Sequence, residues 1–246
     1  MRGASVGTAG WSIPRSAAGG FSDASPVLAR YSERFSAVEI NSSFYRPHRP
    51  ATYERWAATV PADFQFAVKA PRQITHEHRL VAAGALIAAF CKQIAGLGAA
   101  LGPVLIQLPP SLAFDDTVAA RFFEGWRDLF DGPTACEPRH LSWFSDAANR
   151  RLAQARIARV AADPALCPAA AVPGGFDGLA YYRLHGSPVM YDSSYADRLD
   201  PLAQALVASA AARPTWSIFD NTRLGAATDD ALALIERLES QSLQPS

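Results

Sequence analysis

The chain has 246 residues, 49% of them apolar, with 23 basic and 23 acidic side chains and a formal net charge of zero. That apolar content supports a folded core and excludes a disordered chain. The charge balance, with no basic stripe, argues against nucleic acid as the partner, and no apolar run approaches the roughly 18 residues of a membrane span.

Three cysteines, Cys91, Cys136 and Cys167, are widely spaced and form no CxxC pair. They read as reduced thiols of a cytoplasmic protein. Residues 1–5 run directly into a strand, so no signal peptide is expected.

The elements follow in order. Ser5-Val6-Gly7-Thr8 is the first strand segment, and a Gly-, Ser- and Pro-rich loop follows. Pro26 to Phe35 is an expected helix, with Ser25 as its N-cap. Ala37 to Ile40 is the second strand, and a short helix is expected around Tyr53 to Ala58. Phe64 to Lys69 is the third strand. A polar loop with Thr75, His76 and His78 precedes a helix from about Ala83 to Leu97, which Gly98 would end. Val104 to Gln107 is the fourth strand. Asp115 or Asp116 opens a helix whose apolar residues Val118, Phe122, Phe123, Trp126 and Phe130 recur at helical spacing.

Thr134 to Glu137 is the fifth strand, and Ser145 is the expected cap of a helix reaching about Ala155. Ile157 to Ala162, ending at Asp163, is the sixth. The next crossover holds Pro168, Pro173, Gly174 and Gly175 and leaves little room for a regular helix. Ala180 to His185 is the seventh strand. Asp200-Pro201 opens a helix, Thr215 to Phe219 is the eighth strand, and a last helix covers about Thr228 to Leu238 before a frayed tail.

Eight strands alternating with helices imply a parallel sheet with right-handed crossovers. Eight such units in a length close to about 250 residues imply an α/β fold, a single (β/α)8 TIM barrel. One domain over residues 1–246 is expected, with its core from about 5 to 239 and an irregular crossover between strands six and seven. An open doubly wound sheet is the alternative, but no GxGxxG follows the first strand.

Several stretches resemble the DUF72 (YecE-like) family of uncharacterised TIM-barrel proteins. They are Gly7-Thr8-Ala9-Gly10-Trp11, Val38 to Tyr45, Phe66 to Pro71, Ile74-Thr75-His76 and Gln107 to Ser111. Further on come Glu137-Pro138-Arg139-His140, Ser142-Trp143, Tyr182 to Gly186 and Asp220-Asn221-Thr222. The resemblance runs from about residue 6 to 239 and implies the barrel. It differs at Asp220, where the family usually has asparagine, and in the loop after Trp11. It implies no particular reaction.

In barrels of this kind, polar residues at the carboxyl ends of strands face the substrate. The set here is Glu39, Asn41, Lys69, Gln107, Glu137, Arg139, Asp163, Arg183, His185 and Asn221. Glu39, Lys69, Glu137 and His185 are the catalytic candidates. Lys69 follows an apolar strand, where a desolvated amine can serve as a base or nucleophile; the competing reading is an ion pair with Glu39 or Glu137. His185 suits acid–base work, although a lone histidine is often structural. Arg139 and Arg183 suit capture of phosphate or carboxylate; the competing reading is a salt bridge to Asp163 or Glu137. Asn41, Gln107, Asp163 and Asn221 complete the substrate-binding set, with Tyr45 and Trp143. Trp11, Tyr191 and Tyr195 are further candidates for an apolar wall. His76 and His140 read as rim residues, Trp126 and Trp216 as core.

Three functions fit these residues. The first is an enzyme acting on a small anionic or polyhydroxylated substrate by acid–base chemistry, without a metal. The second is a metal-dependent hydrolase or isomerase with Glu39, Glu137, Asp163 and His185 as ligands. The third is a ligand-binding barrel without catalysis. The expected partner is a small molecule bearing phosphate or carboxylate, not a membrane or a nucleic acid. The residues specify no cofactor and no oligomeric state.

Overall fold

The structure is a computed structural model that describes residues 3–23 and 25–242. The frayed tail expected after the last helix lies partly outside them, at residues 243–246; Ser242 still belongs to that helix.

Ten strands are present among the described residues: β1 (Ser5–Thr8), β2 (Ala37–Ile40), β3 (Gln65–Lys69), β4 (Leu101–Gln107), β5 (Thr134–Glu137), β6 (Ala158–Arg159), β7 (Ala161–Asp163), β8 (Gly174–Gly175), β9 (Ala180–Leu184) and β10 (Thr215–Phe219). They form two ladders, β2-β3-β4-β5-β6-β8 and β1-β10-β9-β7. All pairs are parallel except β6 with β8. The ladders meet twice. At one joint Ala9 bridges Glu39, and the Gly10 N–H donates to the Glu39 carbonyl at 2.8 Å. At the other, β6 pairs with β5, and β7, one residue further, pairs with β9. The strands therefore follow one another in ring order, the arrangement of a TIM-barrel-like α/β fold. The expected sixth strand is present as β6 and β7, divided at Val160.

The helices are α1 (Val27–Ser32), α2 (Ser42–Tyr45), α3 (Pro50–Ala57), α4 (Gly84–Ile94), α5 (Asp116–Leu129), α6 (Asp146–Gln154), α7 (Leu199–Ala212) and α8 (Ala226–Ser242). Ser145 caps α6 as expected, accepting from the Ala148 N–H at 3.3 Å, and of the two residues expected to open α5, Asp115 is the cap, accepting from the Val118 N–H at 3.0 Å. Ser25 does not cap α1. Pro26 takes that place without a side-chain bond. It brings no N–H of its own, so it adds no donor to the unpaired first turn. Gly98 has the expected positive φ, but inside a 3-10 segment (Ala95–Ala100) that prolongs α4. α2 was not foreseen, because four residues are too few for a periodic signal. The crossover after Asp163 holds only a 3-10 turn (Pro168–Ala171) and β8.

The apolar residues divide into two cores. One lies between strands and helices and includes Tyr31, Phe66, Phe90, Phe123 and Trp126. The other comprises Ala37, Ala67, Leu105, Ala135, Ala158, Val160, Leu179, Tyr181, Trp216 and Ile218. Its members recur at alternate strand positions and fill the inside of the ring. Four alanines there leave room for the Tyr181 and Trp216 rings, which stack with centroids 6.1 Å apart. All three cysteines are free. No described helix is long and apolar enough to cross a membrane.

Gly7 shows how tightly the first joint is built. A Cβ at this position would overlap the backbone carbonyl of Ala37. Backbone cannot yield as a flexible side chain does. Gly7→Ala is expected to cost about 3 kcal/mol or more through overpacking, and the midpoint of urea denaturation measures it.

Candidate functional site

Strand periodicity places the polar side chains. Successive strand residues face opposite sides, so a residue two beyond an inward-facing one also faces inward. Ala37, Ala67, Leu105 and Ala135 belong to the inner core. Two residues on stand Glu39, Lys69, Gln107 and Glu137. Tyr181 leads to Arg183 and then His185 in the same way, and Ile218 leads to Asp220. An apolar layer thus carries a charged layer at the carboxyl ends of the strands.

Arg183 is the centre of that layer and has no exposure to solvent. Its guanidinium donates to Glu39 Oε1 at 2.7 Å, Glu39 Oε2 at 3.1 Å, Glu137 Oε2 at 2.7 Å and Asp220 Oδ2 at 3.0 Å. The Tyr181 hydroxyl donates to Glu39 Oε2 at 2.8 Å. Glu137 is equally engaged. Its Oε2 also accepts from Gln107 Nε2 at 2.8 Å, and its Oε1 receives Arg139 at 2.7 Å and His185 Nε2 at 2.8 Å. The other ring nitrogen of His185 lies 3.0 Å from Asp220 Oδ2. With a carboxylate on each nitrogen, the geometry suits an imidazole that donates from both. The 3.1 Å approach of Arg139 to His185 Nε2 then brings together two donors that share one acceptor.

These contacts set the charges. Burial works to raise the Glu137 carboxyl, but Arg183, Arg139 and His185 outweigh it and hold it well below the usual carboxylate range. Asp220 is lowered too: burial opposes, and Arg183 and His185 prevail. Burial disfavours the Arg183 cation, yet Glu39, Glu137 and Asp220 raise its pKa well above the ordinary value. Glu137 has every acceptor site used, so it is a fixed carboxylate and not a proton carrier. Glu39 is bound on both oxygens and fully buried.

Lys69 differs from all of these. It is 7% exposed, and its amine forms no ion pair or hydrogen bond among the described residues. The expected pair with Glu39 or Glu137 is absent because Arg183 already occupies both acids. The amine lies 4.2 Å over the Phe44 ring. Burial, then Arg183, lowers its pKa to about 8, against the opposing pull of Glu39, Glu137 and Asp220. His76 packs edge-on to the same Phe44 ring at 5.0 Å. Burial and the Lys69 charge lower the His76 pKa.

Several expected site residues are placed elsewhere. Arg183 cannot grip a substrate anion, since its donors are spent on three acids. Asp163 follows Ala158, Val160 and Ala162 out of step and turns from the ring; it pairs with Arg198 at 3.1 Å and accepts from the Tyr195 hydroxyl at 3.0 Å. Asn221 is likewise one residue beyond the inward position. Its amide donates to the Ser193 carbonyl and to Asp230. Trp143 is core, with its indole N–H on the Leu112 carbonyl at 2.9 Å. Tyr195 is also buried. Tyr45 is 73% exposed; its neighbour Phe44 forms the wall beside Lys69. Trp11 packs against Trp56 at 5.1 Å. Tyr191 alone among the expected wall residues meets the ring of polar groups, 5.9 Å from the His185 ring. His140 caps the turn at Ser142.

Asp220, Tyr181 and Phe44 were not singled out from the sequence. The period-two parity through Trp216 and Ile218 identifies Asp220 over Asn221. The alternative metal ligands Glu39, Glu137, Asp163 and His185 do not converge, since Asp163 belongs to a separate ion pair. Among the described residues no group of three or more His, Cys, Asp or Glu side chains is arranged to hold a metal ion.

Comparison with known proteins agrees with this architecture. The Escherichia coli K12 UPF0759 protein YecE is 27% identical over 164 residues, 64% of this chain and 58% of that protein. The Bacillus subtilis UPF0759 protein YunF is 32% identical over 126 residues, 48% of this chain and 44% of that protein. The chain therefore spans about half the length of these relatives. Among solved structures, a DUF72 family protein from Enterococcus faecalis superposes with a TM-score of 0.81 at 20% identity, covering 98% of this chain and 96% of that one. Another from Thermotoga maritima gives 0.80 at 24% identity, covering 97% and 100%. At these identities the likeness concerns the fold. The family described as "protein of unknown function DUF72" matches residues 5–246, and the chain belongs to that family.

Proposed function

We propose that the charged layer is the active site of an enzyme acting on a small anionic or polyhydroxylated substrate, with Lys69 as the group that moves the proton. The observation that carries this reading is the Lys69 amine: buried, without an anionic partner, and lowered to about 8. A proton carrier works best with a pKa near the ambient pH. A lysine serving structure alone would be expected to take one of the nearby acids. Arg139, 17% exposed at its side chain, is the cation that offers itself to a substrate carboxylate or phosphate. Asn41, whose Oδ1 is buried without a partner, suits a substrate hydroxyl. Arg183, Glu39, Glu137, Asp220 and His185 are positioning residues that hold Lys69 and Arg139 against a preorganised field.

Two measurements test the reading. Reductive methylation with 13C-formaldehyde and NMR titration is expected to give Lys69 a pKa near 8. A thermal-shift screen of phosphorylated and carboxylated metabolites is expected to yield a ligand whose effect is lost in Lys69→Ala and Arg139→Ala. An amine titrating near its ordinary value, or a ligand that binds both variants as it binds the parent, would favour a binding barrel without catalysis.

A further inference from the structure

A cavity of about 240 Å³ opens at the carboxyl end of β1 and the start of α8. Thr8, Gly10, Ser12, Thr222, Gly225 and Thr228 are among its lining residues. No lysine, arginine or carboxylate lines it. Three features of this cavity point to a ligand.

The first is the helix. α8 is 17 residues long, and its start leaves N–H donors open. The Ala227 N–H is taken by the Asn221 carbonyl at 3.2 Å. The N–H groups of Ala226 and Thr228 have no acceptor among the described residues. Such a terminus attracts anions, through both its free donors and its dipole.

The second is Thr228. It is only 3% exposed and faces the cavity, yet its hydroxyl has no hydrogen-bond partner among the described residues. That hydroxyl is free to donate to an acceptor bound in the cavity.

The third is the shape of the two glycines. Gly10 has φ +85° and open space where a Cβ would stand. Gly225 has φ +86°, and a Cβ there would come within 2.9 Å of the Pro14 side chain. The backbone can thus approach a ligand at Gly10, while Gly225 lets the α8 entry pack against Pro14. The acids of the α8 first turn do not compete. The Asp230 carboxylate is held by Ser194, the Tyr195 N–H and Asn221, and Asp229 is exposed and does not line the cavity.

We infer that this cavity is a subsite for a tetrahedral oxyanion, the phosphate group of a phosphorylated small-molecule substrate. This rests on the reading of the charged layer as an active site and narrows its substrate class. The anion is held by backbone N–H groups and hydroxyls in place of cations. Both subsites lie at the carboxyl ends of the strands, so one substrate can present its phosphate to α8 and its reacting end to Lys69.

The test is a 1H–15N NMR titration with inorganic phosphate at constant ionic strength. In the wild-type protein, the amides of Ala226, Thr228 and Ser12 are expected to shift together along one binding curve. Thr228→Val is expected to weaken binding about tenfold, the value of one hydrogen bond to a charged acceptor, while Thr228→Ser retains it and Arg139→Ala leaves it unchanged. Silent amides at α8, or equal affinity in wild type and a folded Thr228→Val, would overturn the subsite. If Thr228→Val does not fold, the wild-type amide shifts and the Arg139→Ala result decide. Phosphate binding that disappears only in Arg139→Ala would move the anion to the charged layer, sinking the subsite and sparing the active-site reading. Conversely, α8 shifts in a protein whose Lys69 titrates near 10.5 would keep the anion site and remove its catalytic partner.

Discussion

Arg183→Met is expected to destabilise the protein by about 3–5 kcal/mol, the typical cost of removing one partner from a buried ion network. Arg183 has no solvent exposure and donates to Glu39, Glu137 and Asp220. Without it, Glu39 loses its only cationic partner among the described residues, and the Tyr181 hydroxyl remains as its donor. Glu137 keeps Arg139, Gln107 and His185, so the loss falls mainly on Glu39 and Asp220. Adding Glu39→Gln to Arg183→Met is therefore expected to recover part of the loss, a coupling that neighbouring sites show and distant ones do not. Urea denaturation of wild type, both single variants and the double variant measures it. A loss under about 1 kcal/mol for Arg183→Met would contradict the central role given to this residue.

Lys69→Met is expected to act in the opposite direction and stabilise the protein at pH 7. The amine protonates at about pH 8 in the folded chain and at about 10.5 in the unfolded one. A shift of that size corresponds to at most about 3 kcal/mol, and a gain of roughly 1–3 kcal/mol is expected on replacing the amine by an apolar side chain of similar length. The sign follows from proton counting. Between pH 8 and 10.5 the unfolded chain binds the extra proton, so wild-type stability rises with pH across that window. The advantage of Lys69→Met is thus full below pH 8 and fades towards pH 10.5. Denaturation midpoints at pH 7 and pH 10 read both effects. A residue kept at a cost to stability points to a role in function. If Lys69→Met is instead less stable than wild type at pH 7, Lys69 belongs to the structural network.

Local signals carried most of the fold. β1, β2, β5 and β10 have the bounds their sequences predict, because short β-branched or apolar runs between turn residues leave little choice. Ser145 caps as expected, and one of the pair Asp115 and Asp116 does, because a cap needs only its own first turn. α2 and the missing Ser25 cap were not legible. The first, at four residues, is barely one turn and cannot repeat the pattern, and at the second Pro26 stands at the cap position in place of Ser25. In the site, Glu39, Lys69, Gln107, Glu137, Arg183 and His185 were readable because each stands near the carboxyl end of a strand, two residues beyond an inward-facing one. Asp163 and Asn221 were misplaced because one residue of register turns a side chain to the other face. At Asp163 that step is hidden in the division at Val160.

The sequence by itself determined most of the charged layer, because alternation along a strand is a local property; Asp220 joined it, and Asp163 and Asn221 left it, only in the structure. Only the tertiary structure decided how they pair. Arg183 lies 144 residues from Glu39 and 46 from Glu137, and no local rule says which acid a buried guanidinium will claim. That choice rests on the packing of the strands into a ring. By committing the acids to Arg183, it leaves the Lys69 amine beside them without an ion pair among the described residues.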